Sequence, residues 1–368
     1  MRLTKRKEEK GLKKKIGIAA AAVILALALL AGILLGRSQE NASSPQVYTG
    51  FAMSTVITQT AYGKKAAEAE IELQRRLQAF ENRFSMFLAQ SDIARINAAA
   101  GKSPVSVSGE TMGLLKRALE LSKTSQGAFQ LTIAPVTQLW GITTDHPRVP
   151  GADEIARALA LVDDDDLILN EEEGTAYLRR EGQAVDLGGV AKGTACELAR
   201  ETYEEYGIDS AWLSIGGNIY VRGEKPGGTP FRIGFRDPYQ TENSYLASFQ
   251  MKDRVLAVSG GYERYFEENG VRYHHIIDPA TGYPAESDIV SAGVFAQEGT
   301  LADFMSTTLF VWGSGRTLEY MRRPDACDVI FLTDTGTLYV SESLRDSFEL
   351  EETHADMPVV FVERREAA

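Results

Sequence analysis

Two of 368 residues are cysteine and four are histidine. Two cysteines exclude a disulfide framework. So few nitrogen and sulfur donors also leave little for a zinc or copper centre. Phosphate-loop signatures are missing as well. The sequence lacks Gly-x-x-x-x-Gly-Lys-Ser/Thr, and its nearest approach, Lys192-Gly193-Thr194, has Lys before Gly. A three-glycine dinucleotide fingerprint is absent too. Basic charge is in deficit, with 39 Lys and Arg against 51 Asp and Glu, a net −12.

That deficit is unevenly spread. Residues 1–15 hold eight basic and two acidic side chains, a local +6 that leaves the remaining chain near −18. A globular part so acidic argues against nucleic acid as a partner. The basic head runs into Ile16–Leu35, twenty uncharged apolar residues, enough for one membrane-spanning helix. Residues 16–36 therefore read as an uncleaved transmembrane anchor or a cleaved signal segment. The length of the run and the lack of a small-x-small cleavage site favour the anchor. Basic residues stay cytoplasmic, which puts the rest of the chain outside. Residues 37–47 read as a linker, 48–350 as one globular domain, and 351–368 as a C-terminal strand and tail.

Within the domain, helical periodicity covers 64–88, with Ala67, Ile71, Leu77 and Phe80 on one face. Further helices are expected at 91–97, 108–127, 154–160, 194–206 and 301–312. Strand patterns fall at 55–61, 167–169, 176–179, 212–215, 231–250, 255–259, 273–277, 289–295, 329–332, 338–340 and 359–362. The irregular alternation, with several hairpins, indicates an α+β fold. Asp163–Asp166 reads as a solvated loop, because consecutive carboxylates do not converge on a cation.

Three stretches carry chemistry. Asp186-Leu-Gly-Gly-Val-Ala-Lys192-Gly193 follows an apolar approach and precedes a helix. Two glycines let a ligand come close, and unpaired N–H groups at a helix start welcome an anion. The alternative is a tight strand–helix junction with a solvated Lys192. In the second stretch, Leu301–Phe310, Asp303 and Thr307 share one helix face with Ser306 beside them. Such oxygen donors suit Mg²⁺ or Ca²⁺; alternatively, Asp303 favours its own helix dipole and Thr307 bonds back to its helix. The third is Tyr273–Pro284. Neighbours in a strand face opposite ways, so only one of His274 and His275 can face a site. A structural turn, or a transition-metal site using His275 and Asp278, are the other readings.

Together these stretches resemble the ApbE-type flavin transferases (FAD:protein FMN transferases). The resemblance extends to Gly50–Met53, Phe84–Phe87, Ser91–Ile93, Gly127–Phe129, Leu139–Gly141, Ser214–Gly217 and Ser259–Glu263, and covers about residues 48–350. It implies an α+β fold of mixed and antiparallel sheets with packed helices, of the T-fold type. It also implies Mg²⁺-dependent transfer of the FMN half of FAD to a Thr or Ser of a partner flavoprotein, releasing AMP. By position, Met53, Phe87, Ala128, Phe129, Gln130, Asp186, Lys192 and Ile277 match FAD contacts. Gly189 (through its carbonyl), Asp303 and Thr307, with Ser306 adjacent, match the metal site, and His275 matches a general base. Gln130 departs from the usual Asp, and Val258 from a frequent Thr. The implied partner is an acceptor of a membrane or extracytoplasmic electron-transfer system. Tyr62, Phe87 and Tyr262 are candidates to face the flavin ring, Phe87 the best of the three, and a place in the core is the favoured alternative for each. The alternatives are an FAD pyrophosphatase and a non-enzymatic, membrane-tethered flavin-binding protein.

Overall fold

The computed structural model describes residues 44–240 and 244–366. The expected membrane segment, 16–36, lies outside them, as does the basic head. Among the described residues no helix is long and apolar enough to cross a membrane.

The described chain opens with a hairpin, β1 (Pro45–Ala52) and β2 (Thr55–Tyr62). The first strand thus takes in the last three residues of the expected linker. Helices α1 (Ala66–Phe84) and α2 (Asp92–Ala98) follow, then β3 (Val105–Ser106), α3 (Gly109–Thr124), α4 (Ala134–Trp140) and α5 (Ala152–Leu159). Next come β4 (Leu167–Asn170), β5 (Thr175–Leu178), α6 (Ala191–Glu205), β6 (Ser210–Ile215) and β7 (Asn218–Arg222). Strands β8 (Phe231–Arg236), β9 (Tyr245–Met251), β10 (Arg254–Gly260), β11 (Tyr265–Glu268), β12 (Val271–His274) and β13 (Ile289–Ala296) lead into α7 (Gly299–Met321). The chain ends with β14 (Asp328–Thr333), β15 (Leu338–Ser341), β16 (Phe348–Leu350) and β17 (Val359–Val362).

Among the described residues nine strands form the main sheet, in the order β1-β2-β6-β7-β10-β13-β14-β15-β17. Each pair is antiparallel except β15 with β17. The sheet therefore continues past residue 350. Its central strands are apolar on both faces because both are covered. On β10, Val255 and Ala257 join the core beneath the helices, while Leu256 joins a second core against β8 and β9. A three-stranded sheet, β16-β9-β8, thus backs the main sheet, and α1, α6 and α7 lie on the other side.

Three local differences from the sequence reading have clear causes. On α1 the buried stripe is Ala66, Ala69, Leu73, Leu77, Phe80 and Phe84, an unbroken three-to-four spacing. Ala67 and Ile71 are out of phase with it and exposed. The expected helix 301–312 runs on to Met321, but Gly313 breaks it with φ 75° and ψ 175°. There the Asp288 carboxylate accepts the Ser314 N–H at 2.8 Å and starts the second half. Finally, Asp163–Asp166 is not a solvated loop. Asp164 accepts from Leu131 N, Thr132 N, Thr132 Oγ1 and Ser122 Oγ at 2.6–3.0 Å. Asp166 is buried against Arg180 and Gln183. Two carboxylates of the run are structural clamps, and Asp163 and Asp165 face solvent.

Candidate active site

The Asp186–Gly193 run enters from a segment held on both sides. Asn97 exchanges two hydrogen bonds with the Val185 backbone, at 2.7 and 3.0 Å. Asp186 N donates to Leu131 O at 2.8 Å. The Asp186 carboxylate then accepts the Gly188 N–H at 2.8 Å and closes a tight turn. Helix α6 begins at Ala191, three residues earlier than the sequence pattern suggests, so Lys192 and Gly193 lie in its first turn. This alters the anion reading. The Gly193 N–H is not free for a ligand; it donates to Asp303 Oδ2 at 2.9 Å. Gly189 is close to protein as well: a Cβ there would lie 2.6 Å from the Phe129 ring.

Asp303 is 2% exposed, on α7. A buried carboxylate needs partners, and it has two: the start of α6 and the Lys192 ammonium, 3.7 Å from Oδ1. Lys192 Nζ also donates to the Gly188 carbonyl at 3.2 Å. The octapeptide and α7 thus meet through one cation as well as through the Gly193 N–H. Ser306 Oγ donates to the Asp303 carbonyl at 2.9 Å and lies 2.8 Å from Ser259 Oγ. Thr307 Oγ1 lies 3.2 Å from the same Ser259 hydroxyl, so it faces β10.

The two histidines separate as their alternation predicts. His274 ends β12, donates from Nε2 to Ala285 O at 3.1 Å, and accepts the Ile276 N–H on Nδ1 at 3.3 Å. Both ring nitrogens are spent on structure. The His275 ring lines the cleft, and its Nδ1–H donates to the Arg264 carbonyl at 3.2 Å. A carbonyl only accepts, so Nδ1 carries the proton and Nε2 keeps its lone pair. Burial, then the charges of Lys192 and Arg264, push the His275 pKa down to about 3. The ring is therefore a neutral base at physiological pH. In the same turn region, Trp140 is fully buried and donates from Nε1 to Gly282 O at 2.8 Å. Asp278 Oδ1 accepts the Ala280 N–H at 2.9 Å within its own turn. The alternative His275–Asp278 metal site finds no support: no group of three or more His, Cys, Asp or Glu converges among the described residues.

A cleft of about 400 Å³ joins these parts. Of the expected FAD contacts, Met53, Phe87, Ala128, Phe129, Gln130, Asp186, Lys192 and Ile277 all line it, as do Gly189, Thr307 and His275. Asp303 and Ser306 stand behind the wall and reach it through Lys192, Thr307 and Ser259. Phe87 is 64% exposed at the cleft. Neither Tyr62 nor Tyr262 is part of the lining: Tyr62 packs on Phe231, and Tyr262 bonds Ser291. Gln130 Oε1 accepts the Asp164 N–H at 3.2 Å, tying the 128–130 segment to the carboxylate clamp.

Two cleft residues escaped assignment to the site from sequence. Ser259 holds both α7 hydroxyls, and Arg264 contacts both His275 and the Ser54 carbonyl, the latter at 3.0 Å. Ser259 belongs to the Ser259–Glu263 motif; Arg264, one residue beyond it, carries no local signal.

The donor set fits a hard cation. Asp303, Thr307, Ser306, Ser259 and the Gly188–Gly189 backbone offer oxygen alone. An ammonium already bridges the Gly188 carbonyl and the Asp303 carboxylate, so positive charge is stable there.

The ApbE family model matches residues 53–331, which include each residue of this wall and of the His275 turn. The chain belongs to the ApbE family. A Klebsiella pneumoniae relative named FAD:protein FMN transferase is 31% identical over 82% of this chain and 93% of its own length. One of the same name from Treponema pallidum is 33% identical over 80% and 86%. Among solved structures, an ApbE protein from Thermotoga maritima superposes with a TM-score of 0.77 at 29% identity, over 83% of this chain and 99% of that one. Flavin transferase ApbE from Vibrio cholerae gives 0.74 at 26%, with the same coverage. The α+β architecture of this ApbE-family chain is thus shared with solved members.

Proposed function

We propose that the chain is an FAD:protein FMN transferase that moves the FMN moiety of FAD onto a Thr or Ser hydroxyl of a partner flavoprotein. The observation that carries this reading is the meeting, in one cleft, of a neutral His275, Lys192 and the oxygen wall of α7 and β10. The acceptor oxygen attacks the flavin-side phosphorus, and its proton passes to His275 Nε2. The bond from that phosphorus to the bridging oxygen breaks, and the oxygen leaves with AMP. Lys192 offsets charge on the pyrophosphate, and positioning supplies much of the rest. Asp186, Met53, Phe87, Ile277 and the 128–130 segment hold the dinucleotide. Mg²⁺, held by Asp303, Thr307 and the Gly189 carbonyl with Ser306 adjacent, would neutralise phosphoryl oxygens.

The full chain in detergent, given FAD, Mg²⁺ and an acceptor flavoprotein, should produce a fluorescent protein band that survives denaturation. Absence of the band with an acceptor that a known family member modifies refutes the reading. AMP release at the same rate without acceptor assigns a pyrophosphatase instead. The outer membrane face rests on the basic head and the apolar run of residues 16–35. Protease digestion of the domain on intact spheroplasts tests it, and protection refutes it.

A further inference from the structure

Arg264 occupies a junction that the reaction as described leaves unused. It lies between β10 and β11 and lines the cleft. Its backbone carbonyl accepts twice from His275, from N–H at 3.1 Å and from Nδ1–H at 3.2 Å. Its guanidinium donates to Ser54 O at 3.0 Å, across the cleft mouth. Ser54 and Met53 form the β1–β2 turn with φ of 57° and 53°, left-handed values rare for side chains of this kind. Such backbone persists where surrounding contacts hold it. A planar, charged donor on a carbonyl is a strong and directional hold.

We infer that Arg264 is a positioning residue: its guanidinium anchors it to the Met53–Ser54 turn, so that its carbonyl holds His275 in the Nδ1–H tautomer with Nε2 ready to accept a proton. This deepens the transferase reading and rests on His275 as the base. The β11–β12 pairing and the His275 N–H hold the carbonyl against the ring from one side, and the guanidinium ties the same residue to the turn from the other. Without the anchor, the 261–264 loop is tied to the turn by no other side-chain bond among those of the described residues. The ring then samples the other tautomer, whose Nε2 bears a proton and cannot take one.

The test compares the parent full chain with Arg264→Ala, Arg264→Lys, His275→Ala and the Arg264→Ala/His275→Ala double variant. Single-turnover transfer should fall roughly 10- to 100-fold in Arg264→Ala, the scale of a small misplacement. In the His275→Ala background the same change should cost less than about twofold, because a residue acting through another adds nothing once that one is gone. Arg264→Lys should regain part of the rate. Equal losses in both backgrounds, or no loss in either, overturn the inference. Nitrogen-15 spectra of histidine-labelled chain, with His275→Ala assigning the signal, give a readout that does not need transfer. The parent should show His275 protonated on Nδ1, and Arg264→Ala a mixture. An unchanged tautomer in Arg264→Ala overturns the inference even if the parent transfers no FMN, which would itself sink the transferase reading alone.

Discussion

Asp303 makes two contributions that substitution can separate. Oδ2 accepts the Gly193 N–H at 2.9 Å and so caps the first turn of α6, and Oδ1 faces Lys192 at 3.7 Å. Asp303→Asn keeps the shape and one oxygen for the cap but removes the charge. Asp303→Ala removes both. Leaving a buried donor without a partner costs about 1–3 kcal/mol. Deleting a carboxylate that is 2% exposed also recovers its desolvation cost, which offsets part of that loss. Asp303→Ala should therefore lose about 1–2 kcal/mol of stability, and Asp303→Asn less than about 1 kcal/mol. Lys192 is freed, not stranded, because a quarter of its side chain already reaches the cleft. Transfer should fall about 100- to 1000-fold in both, the usual size for losing one electrostatic element of a site. Urea unfolding measures the first quantity and single-turnover flavinylation the second. If Asp303→Asn unfolds with Asp303→Ala, the cap assignment is wrong. If Asp303→Asn keeps transfer near the parent rate, the charge is not what matters at this position.

Other expectations follow from the same geometry. Gly193→Ala should destabilise by about 2–3 kcal/mol and lower FAD turnover, since the new Cβ would lie 2.7 Å from Asp303 Cβ and closer still to the Gly299 backbone; a thermal midpoint equal to the parent's counts against this. His275 binds its proton near pH 3 when folded and near 6.5 when unfolded. The unfolded chain is protonated first, so this contribution is complete above pH 6.5 and is lost as pH falls from 6.5 through 3. Glu70, raised to about 7 by burial, acts oppositely, losing stability as pH rises from 4.5 through 7. Comparing parent and His275→Asn by urea unfolding across pH isolates the histidine, and an equally steep acid decline in both contradicts its burial. Trp140→Phe keeps the ring packing on Tyr273 and Tyr283 but unpairs Gly282 O. It should cost about 1–2 kcal/mol and slow transfer more than it weakens FAD binding, which fluorescence titration checks.

What the sequence disclosed depended on distance along the chain. Asp303 and Thr307 are four apart on one helix, so their common face was legible from spacing. The opposed roles of His274 and His275 followed from strand alternation. Their partners were not legible, because Ser259 and Arg264 meet α7 and the His275 turn only through sheet order. Asp163–Asp166 misled for the same reason. Nothing local says that Asp164 will find two backbone N–H groups and two hydroxyls on α3 and the 131–132 segment. On α1, Ile71 looked like core, but phase is set by the whole stripe from Ala66 to Phe84 and leaves Ile71 outside it.

The glycines of the octapeptide show how packing builds the chemistry. Gly189 leaves room for Phe129, whose ring also meets Phe304 edge-on at 5.0 Å. Phe129 is thus wedged between the glycine turn and α7 and fixes their separation. Gly193 and Gly299 let α6 and α7 cross at backbone contact, where neither tolerates a Cβ. That crossing carries Asp303 to the first turn of α6 and to Lys192. A ligand-facing glycine would tolerate alanine in the empty protein and fail only on binding. Gly189 and Gly193 should instead fail in folding and binding together, because the position of the carboxylate and the packing of the two helices are one geometric fact.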